Sequence, residues 1–257
     1  MSNLKLSTGY GKTLSLSPQF LKLIINTVGM PHLGTKIRLR LLLKALRHYP
    51  KLSTSKILDA GCGYGYISFE LAKRGYKTIG LDSNPKKLSV GKSLFGSYSS
   101  NLNLLKGSIY HLPFKNNEFD ICLCLEVLEH LKDASQALKE LARVIKKRGF
   151  LIISFPEKEA DRKIFKLLDH LRPGYSIEEI IKIVKPIGFR LTLLLPYPKT
   201  VLGKIILILD IKLHKKSLFL SSLASLFLYT FFLLDLVLPQ KSQPLNYLIV
   251  LEKVKKQ

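Results

Sequence analysis

Two carboxylates stand on either side of a run of closely spaced glycines. Asp59 precedes Gly61 by two residues, Gly63 and Gly65 follow at alternate positions, and Asp82 lies 23 residues beyond Asp59. Alternate glycines let a chain turn sharply and bring its backbone against a ligand. A carboxylate next to such a turn can face a cation, and one at the tip of the following strand can accept both hydroxyls of a ribose. A dinucleotide turn needs its third glycine at position 66, which is Tyr66, and no Gly-Lys-Ser/Thr phosphate loop follows. The pair therefore suits a ligand that carries an amino acid, a sulfonium and a ribose but no phosphate. A second cluster, Glu126-x-x-Glu129-His130, puts two carboxylates and an imidazole within five residues. Such groups move protons, and together they suit a hard or borderline cation.

These residues need a scaffold. An apolar run, Lys56–Ala60, breaks into the glycine turn, and residues 67–74 read as the helix that leaves it. Further strands are expected at 77–81 (ending in Asp82), near 102–106, at 119–125 and at 150–155, with helices between most of them. That alternation implies a parallel sheet covered on both faces. The helix before the fifth strand has Asp133 as a cap with Gln136 reaching back, and an apolar stripe of Ala134, Leu138, Leu141, Ala142 and Ile145. Lys146, Lys147 and Arg148 suit the negative end of its dipole, and Gly149 would end it. A helix over 176–184 and strands over 189–195 and 246–253 complete the pattern. Cys122 and Cys124 share a strand face and read as core thiols.

Composition narrows the class. With 47% apolar residues the chain of 257 residues is no disordered protein, and three cysteines make no disulfide framework. Residues 1–20 hold no unbroken apolar stretch, so a reducing, cytoplasmic compartment is expected. The formal net charge is +23, and residues 1–58 hold ten Lys or Arg and no acid. Such a field attracts nucleic acid, anionic lipid or phosphorylated small molecules, or simply keeps a lysine-rich surface soluble. Aromatic residues do not interleave with the charges, which weighs against single-stranded nucleic acid. Residues 217–234 carry no charge. By length they are a candidate membrane span, but if the strands at 189–195 and 246–253 share one sheet the chain must return to the side it left, which one crossing cannot do; a buried helix pair, an in-plane helix or a shallow hairpin with 201–211 are the alternatives. A lid over a pocket and an in-plane contact with a membrane surface are the leading expectations. The organisation expected is a basic helical extension (1–50, with 1–18 polar and loosely ordered), a nucleoside-binding domain (51–200), an apolar helical insertion (201–242), and a final strand with a basic tail (243–257).

The segment Ile57-Leu58-Asp59-Ala60-Gly61-Cys62-Gly63-Tyr64-Gly65 resembles the first motif of the class I S-adenosylmethionine-dependent methyltransferases. Gly80-Leu81-Asp82-Ser83-Asn84-Pro85 resembles their acidic ribose motif. Gly107 through Phe114, Phe119-Asp120 through Leu131, and Arg143 through Gly149 resemble three further motifs in order. The resemblance covers about residues 55–156. It implies an α/β, Rossmann-like, doubly wound sheet of seven strands, the last antiparallel.

The resemblance also implies roles. The backbone of Gly61, Cys62, Gly63 and Gly65 would meet the methionine part of S-adenosylmethionine, with Asp59 near its amino group. Asp82 would hold the ribose hydroxyls, Ser83 would lie against the adenosine, and Ser108 and Ile109 would flank adenine. The family usually has Asp where Ser108 stands. Leu125 would lie near the sulfonium. The expected chemistry is methyl transfer to a small lipophilic acceptor, with His130 and Glu129 as the groups that take up a proton. Glu126, Glu129 and His130 resemble the metal-ligand cluster of the polyprenyl quinone O-methyltransferases; that metal is the alternative, and no metal is the expectation. An anionic membrane surface is an additional expected partner and nucleic acid a weaker one. The competing functions are an RNA or tRNA methyltransferase, and a cofactor-binding scaffold without catalysis.

Overall fold

The apolar run before the glycine turn becomes a strand buried on both faces, as a central parallel strand must be. The computed structural model describes residues 4–7, 13–16, 32–49, 55–96, 100–158, 171–216 and 218–254. A short antiparallel pair, β1 (Leu4–Ser7) and β2 (Thr13–Leu16), and a helix, α1 (Leu33–Arg47), come before the sheet. Then β3 (Lys56–Ala60), α2 (Tyr66–Ala72), β4 (Lys77–Asp82), α3 (Pro85–Phe95), β5 (Leu102–Lys106) and β6 (Phe119–Leu125) alternate. They are followed by α4 (Ala134–Val144), β7 (Ile145–Pro156), α5 (Ile177–Val184), β8 (Phe189–Tyr197), the helices α6 (Val201–Lys216) and α7 (Leu218–Val237), and β9 (Asn246–Lys253).

Seven strands form one sheet in the order β5-β4-β3-β6-β7-β9-β8. The first five are parallel to their neighbours; β9, last in the chain, lies antiparallel between β7 and β8. The expected fold class is present. The strand order reverses at β3, between β4 and β6, which opens a crevice at the carboxyl ends of β3 and β6. Alternate side chains feed two cores. Leu58, Cys122 and Cys124 face the layer of α4 and α5. Ile57, Ile121, Leu123 and Ile152 face α1, α6 and α7.

Two expectations need correction. First, the polar start of the chain contains the β1–β2 pair, with Leu4 opposite Leu16 and Leu6 opposite Leu14. Leucines at every second position are the period of a strand. Second, α4 ends at Val144, and the basic run 146–149 belongs to β7. Asp120 draws it away: Lys146 Nζ lies 2.7 Å from Asp120 Oδ1, and the β6–β7 register shifts between Phe119 and Ile121. The end of α4 is satisfied from elsewhere, because Lys253 Nζ donates to the carbonyls of Ala142 (2.7 Å) and Ile145 (2.6 Å). Asp133 Oδ1 does accept from Gln136 N at 2.9 Å. The helical insertion is present as a pair: α6 and α7, the latter spanning the uncharged stretch, form a hairpin between β8 and β9, and Tyr197 pairs with Asn246 at its base. Ser217, residues 17–31 and the tail 255–257 lie outside the described residues.

Candidate active site

The crevice is built around β3. Gly61 N and Cys62 N both donate to Leu81 O, at 2.7 and 3.1 Å, which folds the glycine turn over the end of β4. Gly61 has φ +82, and a Cβ there would come within 2.4 Å of Val127 Cγ2. Only glycine allows the turn to touch the segment after β6. On the other side, a Cβ on Gly91 in α3 would meet Tyr64 O at 2.1 Å, so α3 packs directly on the turn. Cys62 turns its sulfur toward Gly80, where an added Cβ would stand 2.9 Å from Sγ. Burial and the nearby Asp59 carboxylate push its thiol up, so Cys62 offers the crevice backbone and no thiolate.

Both carboxylates are positioned by hydrogen bonds. Asp82 Oδ2 accepts from Gly63 N and Oδ1 from Asn84 N, each at 2.8 Å. Its two oxygens are thereby fixed at the tip of β4, fitted to a diol. Asp59 is buried, and Ser68 Oγ donates to its Oδ2 at 2.6 Å. Burial raises its carboxyl to about 6, with Asp82 adding to the rise and the Ser68 bond opposing it. A carboxylate so destabilised in its charged form favours a cation beside it. Ser83 is exposed, Ile109 is buried, and Ser108 Oγ accepts from Tyr110 N at 3.2 Å within its own loop.

Across the turn lies a polar cluster that links distant elements. Glu126, at the end of β6, has φ +54. Its carboxylate accepts from Ser154 Oγ (2.8 Å) and Asn246 Nδ2 (3.2 Å), with Tyr197 Oη at 3.5 Å and Arg38 Nη1 at 3.8 Å. Burial, with Glu126 alongside, keeps the Tyr197 phenol protonated. Glu129 follows in a short 3-10 turn, Leu128–His130, with no exposure. Neither of its carboxylate oxygens has a hydrogen-bond partner among the described residues. Burial and the charge of Glu126 raise its carboxyl well above the usual range, Arg38 opposing weakly. His130, next along the turn, is exposed.

The structure thus brings Gly61, Gly63 and Asp82 together at the tips of β3 and β4, sets Gly61 against Val127 in the segment that carries buried Glu129, and leaves His130 exposed. Among the described residues no three His, Cys, Asp or Glu side chains form a group able to hold a metal. Glu126 serves Arg38, Ser154 and Asn246 instead. Sequence reasoning missed Ser68, Gly91, Arg38, Ser154, Tyr197 and Asn246. Ser68 and Gly91 were open to detection as a small polar residue and a glycine within amphipathic helices; the other four meet only through folding.

Residues 58–153 match the family described as methyltransferase domain. Residues 58–153 are a methyltransferase domain. Its motifs and fold are those of the class I, S-adenosylmethionine-dependent methyltransferases, and the residues present are compatible with that cofactor: a tight backbone turn and, beside it, a carboxylate held by two backbone amides. Among curated relatives, the ubiquinone biosynthesis O-methyltransferase of Rickettsia bellii is 30% identical over 127 residues, 49% of this chain and 52% of the relative. The mitochondrial ubiquinone biosynthesis O-methyltransferase of Schizosaccharomyces pombe is 33% identical over 162 residues, 61% of this chain and 55% of the relative. The chain thus spans about half the length of the curated relatives it matches. Among solved structures, a candidate sarcosine dimethylglycine methyltransferase from Galdieria sulphuraria superposes with a TM-score of 0.65 at 17% identity, over 93% of this chain and 99% of that one. Phosphoethanolamine N-methyltransferase 2 of Haemonchus contortus, solved with S-adenosylmethionine, gives 0.58 at 18% identity, over 79% and 49%. Identities this low show that the methyltransferase domain shares the fold and nothing finer.

Proposed function

We propose that this chain transfers a methyl group from S-adenosylmethionine to a hydroxyl oxygen of a small, lipophilic acceptor. One observation carries the reading. The glycine turn that faces the methionine end touches Val127, and two residues beyond Val127 a fully buried carboxyl, Glu129, keeps both oxygens free of partners among the described residues. A buried carboxyl with a raised pKa is matched to accept a proton from a weakly acidic hydroxyl as that oxygen gains its methyl group. The cofactor supplies an electrophilic methyl group when bound. The residues of this chain then bind it (Asp59, Gly61, Cys62, Gly63, Gly65, Asp82, with Ser83, Ser108 and Ile109 toward the base and Leu125 toward the sulfur), align the acceptor and exclude water. His130, at the mouth, is the second group proposed to receive the proton. The curated relatives named above are O-methyltransferases, which agrees with a hydroxyl acceptor. The compartment proposed is the cytoplasm, with the chain peripheral at a membrane.

The test is transfer of labelled methyl from S-adenosylmethionine into lipid and RNA extracts. Label in the lipid fraction supports the reading. Label confined to RNA supports the competing one, which the net charge of +23 favours. Glu129→Gln should cut turnover about a hundredfold or more with cofactor affinity unchanged. Normal turnover in that variant, with a loss in His130→Ala, would transfer the proton-accepting role to the histidine.

A further inference from the structure

We infer that the outer face of the α6–α7 hairpin is a docking surface for an anionic lipid bilayer, against which it lies flat. Most of the large apolar side chains left exposed on the described part of the chain belong to this hairpin. Ile205 and Leu209 project from α6, and Phe227, Phe231, Leu234 and Val237 from α7; Phe227 is 67% exposed and Val237 79%. Spacings of three and four put them on one side of each helix. Contiguous apolar faces of this kind mark contact with a membrane or a partner.

Charge selects the occupant. The hairpin carries two acids, Asp210 and Asp235, and both are buried. Each is spent internally: Asp210 Oδ2 accepts from Leu33 N at 3.0 Å, and Asp235 accepts from Lys199 N and Thr200 N. The exposed charge at the rim is lysine, at Lys212 and Lys241. The helix α1, which packs against the hairpin, exposes Arg40, Lys44 and Arg47, with no acid in its sequence. Apolar side chains framed by cations match lipid tails beneath anionic headgroups. A second copy of this chain would bring the same cations to the contact and be repelled.

The surface lies along the bilayer because the inner face of the hairpin is already occupied. Ile206, Leu207, Ile211 and Phe232 belong to the same core as Ile57 and Val250. Drawing either helix through a membrane would empty that core. Tyr197 and Asn246, at the base of the hairpin, also border Glu126, so docking brings the acceptor side of the crevice to the lipid surface. The inference refines the peripheral placement proposed above, yet it stands whether or not methyl transfer occurs.

The experiment is flotation of the full chain with vesicles of phosphatidylglycerol and phosphatidylcholine, against phosphatidylcholine alone. At low salt we expect about tenfold more protein with the anionic vesicles, falling as salt rises. The variant Phe227→Ser/Phe231→Ser/Leu234→Ser should lose about tenfold of that binding while keeping its melting temperature and its affinity for S-adenosylmethionine. The chain has no tryptophan, so Phe231→Trp supplies a site-specific reporter that does not depend on the triple variant folding. Its emission should shift to the blue on the anionic vesicles. No flotation of the parent chain, an unshifted emission from the Phe231→Trp variant, or equal flotation of a folded triple variant would each overturn the inference. So would a dimer in sedimentation that the triple variant disperses.

Discussion

Asp235, near the end of α7, caps the start of α6 through Thr200. Its Oδ1 accepts from Thr200 N at 2.8 Å and from Thr200 Oγ1 at 2.6 Å, while Oδ2 accepts from Lys199 N at 2.7 Å. Thr200 Oγ1 in turn accepts from Gly203 N at 3.1 Å. The Thr200 hydroxyl thus satisfies a first-turn amide of α6, and the Asp235 carboxylate holds that hydroxyl and the two amides before the helix, closing the hairpin across 35 residues. Asp235→Ala removes three bonds and leaves partly buried donors without acceptors. It should destabilise the fold by about 2 kcal/mol or more. For a chain of this size that is a fall of roughly 4–8 °C in melting temperature. Asp235→Asn, which still accepts, should lose less than half as much. A melting temperature unchanged in the Ala variant would remove the cap from the account.

In the sequence Asp235 is only an interruption in an apolar run, and that contrast shows what was legible. The strands around Asp59 and Asp82 were readable because turn chemistry and the period of buried strands are local properties. The same holds for the cap at Asp133 and for the thiols Cys122 and Cys124, both fully buried. The end of α4 was misread because its carbonyls are met by Lys253, more than a hundred residues away, and its basic run by Asp120. The Glu126 cluster was invisible for the same reason: Arg38, Ser154, Tyr197 and Asn246 come from four separate elements. Sequence spacing locates a turn; it does not locate a contact made by register across a sheet.

The buried carboxyl of Asp59 makes stability depend on pH in a defined direction. Its folded value of about 6 lies above the ordinary 3.8. The folded chain therefore holds this proton more tightly than the unfolded chain does. The stabilising contribution is complete below about pH 4 and is lost as pH rises through about 6. Asp59→Asn removes the titration. Melting curves of parent and variant without cofactor should therefore diverge between about pH 4 and pH 6 and run parallel above about pH 7, the variant gaining by up to about 3 kcal/mol at roughly 1.4 kcal/mol per pH unit. A constant gap across that range would contradict the assignment. Cofactor affinity should run the other way: in the parent it strengthens as pH rises through about 6, and in Asp59→Asn it stays flat.

Asp82 is held by two backbone amides before any ligand arrives, so its contribution to binding carries little ordering cost. Asp82→Ala should weaken S-adenosylmethionine binding by roughly 1.5–3 kcal/mol, about 10- to 150-fold in Kd by calorimetry. Asp82→Asn keeps the shape but not the charge assistance and should fall between. An unchanged Kd in the Ala variant would refute the ribose role.

Arg38 and Glu126 tie the helix α1 to the end of β6, and both are more than four-fifths buried. Removing either alone leaves its partner as an uncompensated charge away from water. Arg38→Met and Glu126→Gln should each destabilise the chain by on the order of 2–3 kcal/mol, and the double variant by clearly less than their sum. That coupling is the signature of an interacting pair, and urea unfolding of the four proteins measures it. Function should divide differently. Asp59, Ser68 and Asp82 lie across the crevice, so cofactor affinity should change by less than about twofold in either single variant. Turnover should fall in both if the acceptor binds beside Glu129, as proposed, because Glu126 and Glu129 belong to the same segment after β6. Strictly additive destabilisation would mean that the two charges do not sense each other. Lost cofactor affinity with intact acceptor turnover would place the cluster on the wrong side of the site.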